Sequence, residues 1–140
     1  MKQRIIVDTS TLVSAALRAD SKPRQALKKA TDLFELCVSE GTLSELEMVL
    51  ARPQFAKYGS DETLRAFVES VRSDGSMFSV SEADLETVEP ACRDPKDNLF
   101  LALAVVAGAE IIVSSDQDLL VLHPWRGIAI FTPAQFLAQN

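Results

Sequence analysis

Short, largely apolar runs that alternate with helix-like segments restrict the fold of this chain more than any other feature of its sequence. The runs fall in residues 4–7 (RIIV), 33–39 (LFELCVS), 77–80 (MFSV), 110–115 (EIIVSS) and 128–131 (IAIF). Strands that are apolar along their length are typical of a parallel sheet with both faces covered. The pattern therefore predicts a three-layer α/β/α sandwich around a central parallel sheet of four to five strands.

Residues that favour helix ends divide the segments between these runs. Ser21 is expected to cap a helix with Pro23 in its first turn, and Ser39 to cap a helix over residues 40–51. Thr132, followed by proline, predicts the start of a terminal helix.

The segment 81–98 is the least regular part of the chain, acidic and loop-like. Order returns at its end, where Asp94 is a good N-cap and Pro95 takes the first helical position. These residues predict one long, almost wholly apolar helix that ends at Gly108 and is buried.

Length and composition favour a globular protein with a substantial core. The 140 residues suit a single domain that spans the whole chain, and 47% of them are hydrophobic. The first residues are too polar for a signal peptide, and no apolar run approaches the roughly 20 residues of a membrane span. We therefore expect a cytoplasmic protein.

The charge balance is acidic, with one short basic segment. A net charge of −6 argues against a protein that holds nucleic acid by bulk positive charge. Residues 18–29 nevertheless carry five of the fourteen basic groups: Arg18, Lys22, Arg24, Lys28 and Lys29. This segment is either a solvated helix face or a guide for a phosphate backbone.

Cysteine and histidine are too few for a zinc site. Cys37 and Cys92 are far apart in the sequence, and His123 is the only histidine. We expect Cys37 in the core and Cys92 as a free thiol in the irregular segment. His123 precedes a proline and is expected to have a structural role in a turn, whereas Trp125 could pack internally or stack on a base.

Four acidic residues follow the strands in a pattern that suggests a common site. Asp8 directly follows the first run and Asp116 the fourth, while Asp97 lies in the first turn of the apolar helix. Glu45 lies in the second turn of the helix after the second run. Ligands of open parallel sheets bind at the carboxyl ends of strands where the winding reverses, so these four side chains could meet there.

Each of these acids also has a structural explanation. Asp8 and Asp116 could cap the helices that follow them, Asp97 could complete a cap with Asp94, and Glu45 could simply be solvated. Several acids on one sheet edge would repel each other unless a cation lies between them. A set of oxygen ligands alone suits Mg²⁺ or Mn²⁺, which can activate water against a phosphodiester.

The stretches that carry these acids resemble the PIN-domain (PilT N-terminus) family, whose members are nucleases found as toxins in many toxin-antitoxin pairs. The stretches are IIVDTSTLVSA, SELEMVL, RDPKDNLFLALAVVAGA and IIVSSDQDLL. The likeness extends from about Arg4 to Leu137, and RGIAIFTPAQFL is similar to the end of a toxin subgroup. The resemblance implies a Mg²⁺- or Mn²⁺-dependent endoribonuclease with metals held by Asp8, Glu45, Asp97 and Asp116.

The resemblance also implies supporting roles and partners. Asp118 is expected to assist the four metal ligands without being one of them, and Asp94 is expected to do the same or to cap its helix. Thr9 and Ser10 are expected to bond a ligand carboxylate or a phosphate; Ser114 and Ser115 match small residues before the last acid. The predicted substrate-binding set is Thr9, Ser10, Lys22, Arg24 and Lys28. The implied partners are an RNA substrate, a second copy of the chain in a homodimer, and a protein antitoxin.

Three other functions compete with RNA cleavage. A phosphatase that forms an aspartyl-phosphate requires a second acid two positions after the first, and Ser10 stands there. A receiver domain requires a lysine near its end, but no lysine follows Lys96. A catalytically inactive PIN-like module that binds RNA or protein stays open as the alternative.

Overall fold

The computed structural model describes residues 2–139. Within that range the chain forms five strands, eight α-helices and two short 3-10 helices. In chain order these are β1 Arg4–Val7, α1 Thr9–Leu17, α2 Lys22–Leu33, β2 Glu35–Val38, α3 Glu40–Leu50, a 3-10 helix Pro53–Tyr58, α4 Asp61–Asp74, β3 Ser76–Met77, α5 Glu82–Glu86, a 3-10 helix Pro95–Asp97, α6 Asn98–Ala107, β4 Ile111–Val113, α7 Gln117–Leu120, β5 Ala129–Phe131 and α8 Pro133–Ala138.

The strands form one parallel sheet in the order β3-β2-β1-β4-β5. The first half of the chain builds outward from β1 through β2 to β3, and the second half crosses back to add β4 and β5 on the other side. The winding direction therefore reverses between β1 and β4. This arrangement confirms the predicted α/β/α class and identifies the place where open sheets of this kind bind ligands.

Each face of the sheet packs against its own hydrophobic core, which explains why the strands are apolar throughout. On β1, Ile5 and Val7 belong to a core shared with α1–α4 and α8, whereas Ile6 belongs to a core shared with α6 and α7. Side chains of a strand point alternately to its two faces, so both faces of β1 need apolar residues. The helices therefore cover the sheet on both sides, as predicted.

The long helix predicted from Asp94 is divided in two. Asp94 accepts a hydrogen bond from the backbone N–H of Lys96 and caps a 3-10 turn, after which the α-helix begins at Asn98. The predicted end is correct, since Gly108 adopts a left-handed φ of 66° there. The break places Asp97 at the junction of two helices, where its side chain makes no capping bond.

The region predicted to be irregular contains a short helix. Ser81 and Asp84 form a reciprocal capping box at the start of α5, a signal that the sequence prediction overlooked. The third strand is shorter than the predicted run and begins one residue earlier, at Ser76. None of the helices between residues 2 and 139 is both long and apolar enough to cross a bilayer.

Trp125 and His123 have structural roles. The Trp125 ring is 1% exposed, and its Nε1–H donates to the carbonyl of Pro90, so it packs internally rather than offering a face to a base. The Nδ1 atom of His123 accepts a hydrogen bond of 2.9 Å from the backbone N–H of Ile130. This bond ties the turn after α7 to β5.

Candidate functional site

A cleft of about 450 Å³ opens at the point where the winding of the sheet reverses. Its walls include the four acids predicted as ligands, which come from four different elements: Asp8, Glu45, Asp97 and Asp116. We call it the acidic cleft. Thr9, Ser10 and Asp94 also line it. The fold thus brings the predicted carboxylates to one place, while their role as metal ligands stays a prediction.

Asp8 is the most deeply buried carboxylate of the acidic cleft, at 2% exposure. It caps α1 by accepting from the Thr11 N–H at 3.0 Å, and it also accepts from the hydroxyls of Ser10 and Ser114. Burial raises the pKa of Asp8, and these hydrogen bonds offset part of the increase. The capping function and the position in the cleft therefore coexist in one residue.

Glu45 reaches the cleft from α3, which Ser39 and Thr42 start with a reciprocal capping box. The hydroxyl of Thr9 donates to Glu45 Oε2 at 2.7 Å. Thr9 immediately follows Asp8, so this bond fixes the Glu45 side chain beside the end of β1. Both hydroxyls predicted near the first acid, those of Thr9 and Ser10, thus bond carboxylates.

Asp97 is 8% exposed, yet among residues 2–139 its carboxylate accepts only from the Cys92 thiol, at 3.8 Å. Burial is the largest cause that raises the pKa of Asp97, and together with the hydrogen bonding and charge of Asp116 and the charges of Asp94 and Asp8 it brings that pKa to about 7. A buried carboxylate with like charges around it and no strong donor is poised to receive a cation or a proton.

Asp116 follows β4 and caps α7 by accepting from the Asp118 N–H at 2.9 Å. Its own N–H donates to the hydroxyl of Ser114, which donates in turn to Asp8 Oδ2 at 2.5 Å. Ser114 is fully buried and so links the two acids that flank the reversal of the sheet. The cap predicted at Asp116 is present, in addition to its place in the cleft.

The tightest acidic group differs from the predicted ligand set. Carboxylate oxygens of Asp94, Asp97 and Asp118 lie within 4.8 Å of one another. Asp97 belongs to this group and also adjoins Asp116, so it is shared between two sets of carboxylates. Asp94 caps the 3-10 turn as well, which is one of the two roles predicted for it.

These side chains fit a hard divalent cation. They offer carboxylate and hydroxyl oxygens, and the nearest softer atom is the thiol of Cys92, whose pKa is raised by burial and which therefore stays protonated. A bound cation would relieve the repulsion between Asp97 and the carboxylates of Asp116, Asp94 and Asp8. Asp8, Glu45, Asp97 and Asp116 would hold it, with Asp94 and Asp118 beside Asp97.

Lys96 is the one basic residue in the lining of the acidic cleft among residues 2–139. The predicted basic residues lie elsewhere: Arg24 donates to the carbonyl of Ala15 and lies over Phe67, and Lys28 pairs with Asp32. Lys22 is exposed on α2 and is not part of the lining. The substrate role of this segment stays a prediction without support from its position.

The contacts of three residues in the site were not predicted, and the sequence indicates them to different degrees. Lys96 could have been found, because it directly precedes Asp97 in RDPKDN. Ser114 was noted before Asp116, but its bond to Asp8 depends on the pairing of β1 with β4. Cys92 was expected as a free thiol, and it is free, but nothing in the sequence indicates its contact with Asp97.

The family of the chain follows from comparison with known proteins. A family model described as PIN domain matches residues 4–118. The chain therefore belongs to the PIN-domain family, a family of nucleases. No curated protein matches the sequence.

Solved structures share the fold at low sequence identity. VapBC2 from Rickettsia felis, bound to a DNA fragment from its promoter, has a TM-score of 0.62 at 14% identity and covers 91% of this chain and 97% of its own. PAE2754 from Pyrobaculum aerophilum has a TM-score of 0.65 at 18% identity, with coverage of 99% and 98%. VapC20 of Mycobacterium tuberculosis, a sarcin-ricin loop cleaving toxin, has a TM-score of 0.60 at 15% identity, with coverage of 85% and 95%.

The raised pKa of Asp97 predicts a pH-dependent stability in the metal-free protein. Between the ordinary value of 3.8 and about 7, the folded protein binds more protons than the unfolded chain. The free energy of unfolding therefore falls as pH rises through this window. We expect Asp97→Asn to be more stable than the parent at pH 8, with a gap that shrinks toward pH 4, measured by urea unfolding in EDTA.

The control for this measurement is Asp20→Asn, which changes an exposed acid that does not line the acidic cleft. Its effect should be small at every pH. A gap for Asp97→Asn that stays constant from pH 4 to pH 8 would contradict the assignment of the raised pKa.

Proposed function

We propose that this protein is a Mg²⁺- or Mn²⁺-dependent ribonuclease that hydrolyses RNA phosphodiester bonds at the acidic cleft. The observation that carries the proposal is the meeting of Asp8, Glu45, Asp97 and Asp116 in one cleft at the reversal of the sheet. Four elements that are distant in sequence supply one acid each, an arrangement that helix capping alone does not require. Membership of a nuclease family agrees with this chemistry.

A divalent ion bound there would supply an activated water and neutralise charge on the phosphodiester. The protein would contribute by holding the ligand carboxylates and Lys96 in place. Asp8 is held by three donors and Glu45 by Thr9, so both carboxylates are fixed before an ion or substrate arrives. Lys96 can place its ammonium against a phosphate of the substrate. No side chain needs to act as a nucleophile.

We further propose that the protein acts in the cytoplasm as the toxin of a toxin-antitoxin pair. Solved proteins with this fold include a toxin that cleaves the sarcin-ricin loop and VapBC complexes bound to DNA. By the same likeness we propose a homodimer and a protein antitoxin as partners. The alternative is an inactive PIN-like module, which would bind RNA or protein without cutting.

The decisive test of catalysis compares two neighbouring glutamates of α3. We expect Glu45→Gln to lower RNA cleavage by at least about 100-fold, or about 2.7 kcal/mol of transition-state stabilisation, because a ligand charge is lost. Glu47→Gln is the matched control, since Glu47 is exposed on the same helix and does not line the acidic cleft. Cleavage of mixed RNA is measured with Mg²⁺ or Mn²⁺ and again with EDTA.

Cleavage that survives EDTA or is equal in the two variants would contradict the proposed site. RNA binding without any cleavage in the parent protein would instead favour the inactive module. Purification of both variants beside the parent excludes a contaminating nuclease as the source of activity.

Metal binding should also be visible without substrate. An ion that binds the folded carboxylates and not the unfolded chain stabilises by about 2.7 kcal/mol at 100 times its Kd, which corresponds to a rise in Tm of roughly 5–10 °C. We expect such a rise with millimolar Mn²⁺ in the parent and in Asp20→Asn, and its loss in Asp97→Asn. An equal rise in all three proteins would place the ion outside the acidic cleft.

Substrate binding should depend more on Lys96 than on the basic segment of α2. We expect Lys96→Gln to raise KM several-fold and to weaken the salt dependence of RNA binding, because one phosphate contact is lost. The comparison is the double variant Lys22→Gln/Lys28→Gln, which removes two exposed charges outside the cleft lining. A larger effect of the double variant would favour the predicted basic groove instead.

A further inference from the structure

A second cleft lies beside the acidic cleft on the same edge of the sheet. It has a volume of about 330 Å³ and is formed by α7, the turn after it, the end of β5 and the start of α8. We call it the glutamine cleft, because Gln117 and Gln135 line it together with His123, Phe131 and Thr132. Its size is within the range of about 300–1,000 Å³ that is usual for small-molecule sites.

The linings of the two clefts meet in the sequence after β4. Asp116 lines the acidic cleft and Gln117, the next residue, lines the glutamine cleft. The carbonyl of Phe131 accepts a hydrogen bond of 2.9 Å from the N–H of Ser114, the residue whose hydroxyl contacts Asp8. Both clefts are thus built at the carboxyl ends of β4 and β5, with neighbouring residues of the chain in their linings.

The glutamine cleft carries hydrogen-bonding groups but, unlike its neighbour, no carboxylate or ammonium group lines it. Gln135 Oε1 accepts from the Thr132 N–H, which fixes the amide, and the Nε2 group donates to no residue from 2 to 139. His123 Nδ1 accepts from Ile130, so the ring hydrogen lies on Nε2. The Gln117 amide makes no hydrogen bond to any residue from 2 to 139 and offers both a donor and an acceptor.

We infer that the glutamine cleft binds one unstacked nucleobase of the RNA strand whose phosphate lies at the acidic cleft. Neutral amide and imidazole groups match the donors and acceptors on base edges, and proteins read single-stranded RNA in this way. The rings of His123 and Phe131, with centroids 5.7 Å apart and planes tilted by 36°, offer aromatic surface against which a base can pack. The inference rests on the proposed nuclease function, since it gives that site a preference for one base.

The test measures base preference with an isosteric substitution. The parent protein cuts a randomised RNA pool, and sequencing of the product ends gives the preference at each position around the cut. We expect a preference at a single flanking position, reduced about fivefold or more in Gln117→Met. Gln25→Met is the matched control, because Gln25 is exposed on α2, away from both clefts.

Equal preference in the parent and Gln117→Met, or no preference in the parent, would overturn the inference while leaving the proposed nuclease intact.

A second measurement covers the case in which the parent cuts nothing. Adenosine, guanosine, cytidine and uridine are each added to the protein in EDTA, and the side-chain amide signals are followed by NMR. Shifts at Gln117 and Gln135 but not at Gln25 support the base site, and their absence overturns it.

The NMR titration and the cleavage assay together distinguish binding of a base within the RNA strand from binding of a free nucleoside. If nucleosides shift the amides of Gln117 and Gln135 but Gln117→Met leaves the base preference of cleavage unchanged, the cleft binds a free ligand instead. That outcome overturns the assignment to the RNA strand.

Discussion

The contact between Asp8 and Ser114 is the interaction on which the site depends. It joins the ends of β1 and β4, the two strands between which the winding of the sheet reverses. A buried carboxylate is unfavourable unless hydrogen bonds satisfy it, and Asp8 receives them from a helix N-terminus on one side and from Ser114 on the other. The same hydrogen bond therefore links the two central strands and helps to satisfy the buried carboxylate.

The environment of Asp97 is the opposite of that of Asp8. Asp8 is buried and well bonded, whereas Asp97 is buried, surrounded by acids and bonded only to a thiol. The break between the 3-10 turn and α6 produces this state, because it leaves Asp97 at a junction where its side chain caps neither helix. One carboxylate thus stabilises the fold, and the other stores the repulsion that a cation would relieve.

The elements that depend on local chemistry were predictable from the sequence, and the contacts between them were not. Ser21, Ser39 and Gly108 marked helix ends correctly, and the apolar runs identified a parallel sheet. Placement of the four acids in one cleft followed from a general rule for such sheets. The split of the helix at Asp97 was missed, because a proline after a good N-cap favours both a 3-10 turn and an α-helix.

Position on the surface is harder to predict than position along a helix, as the basic residues demonstrate. The cluster on α2 is dense in sequence, yet Arg24 folds back on Ala15 and Phe67, and Lys28 pairs with Asp32. A single lysine next to a cleft acid, Lys96, has the position that five clustered ones lack. Salt screens exposed charges that lie more than about 10 Å apart, so the position of a charge on the folded surface matters more for a local contact than the density of charge in the sequence.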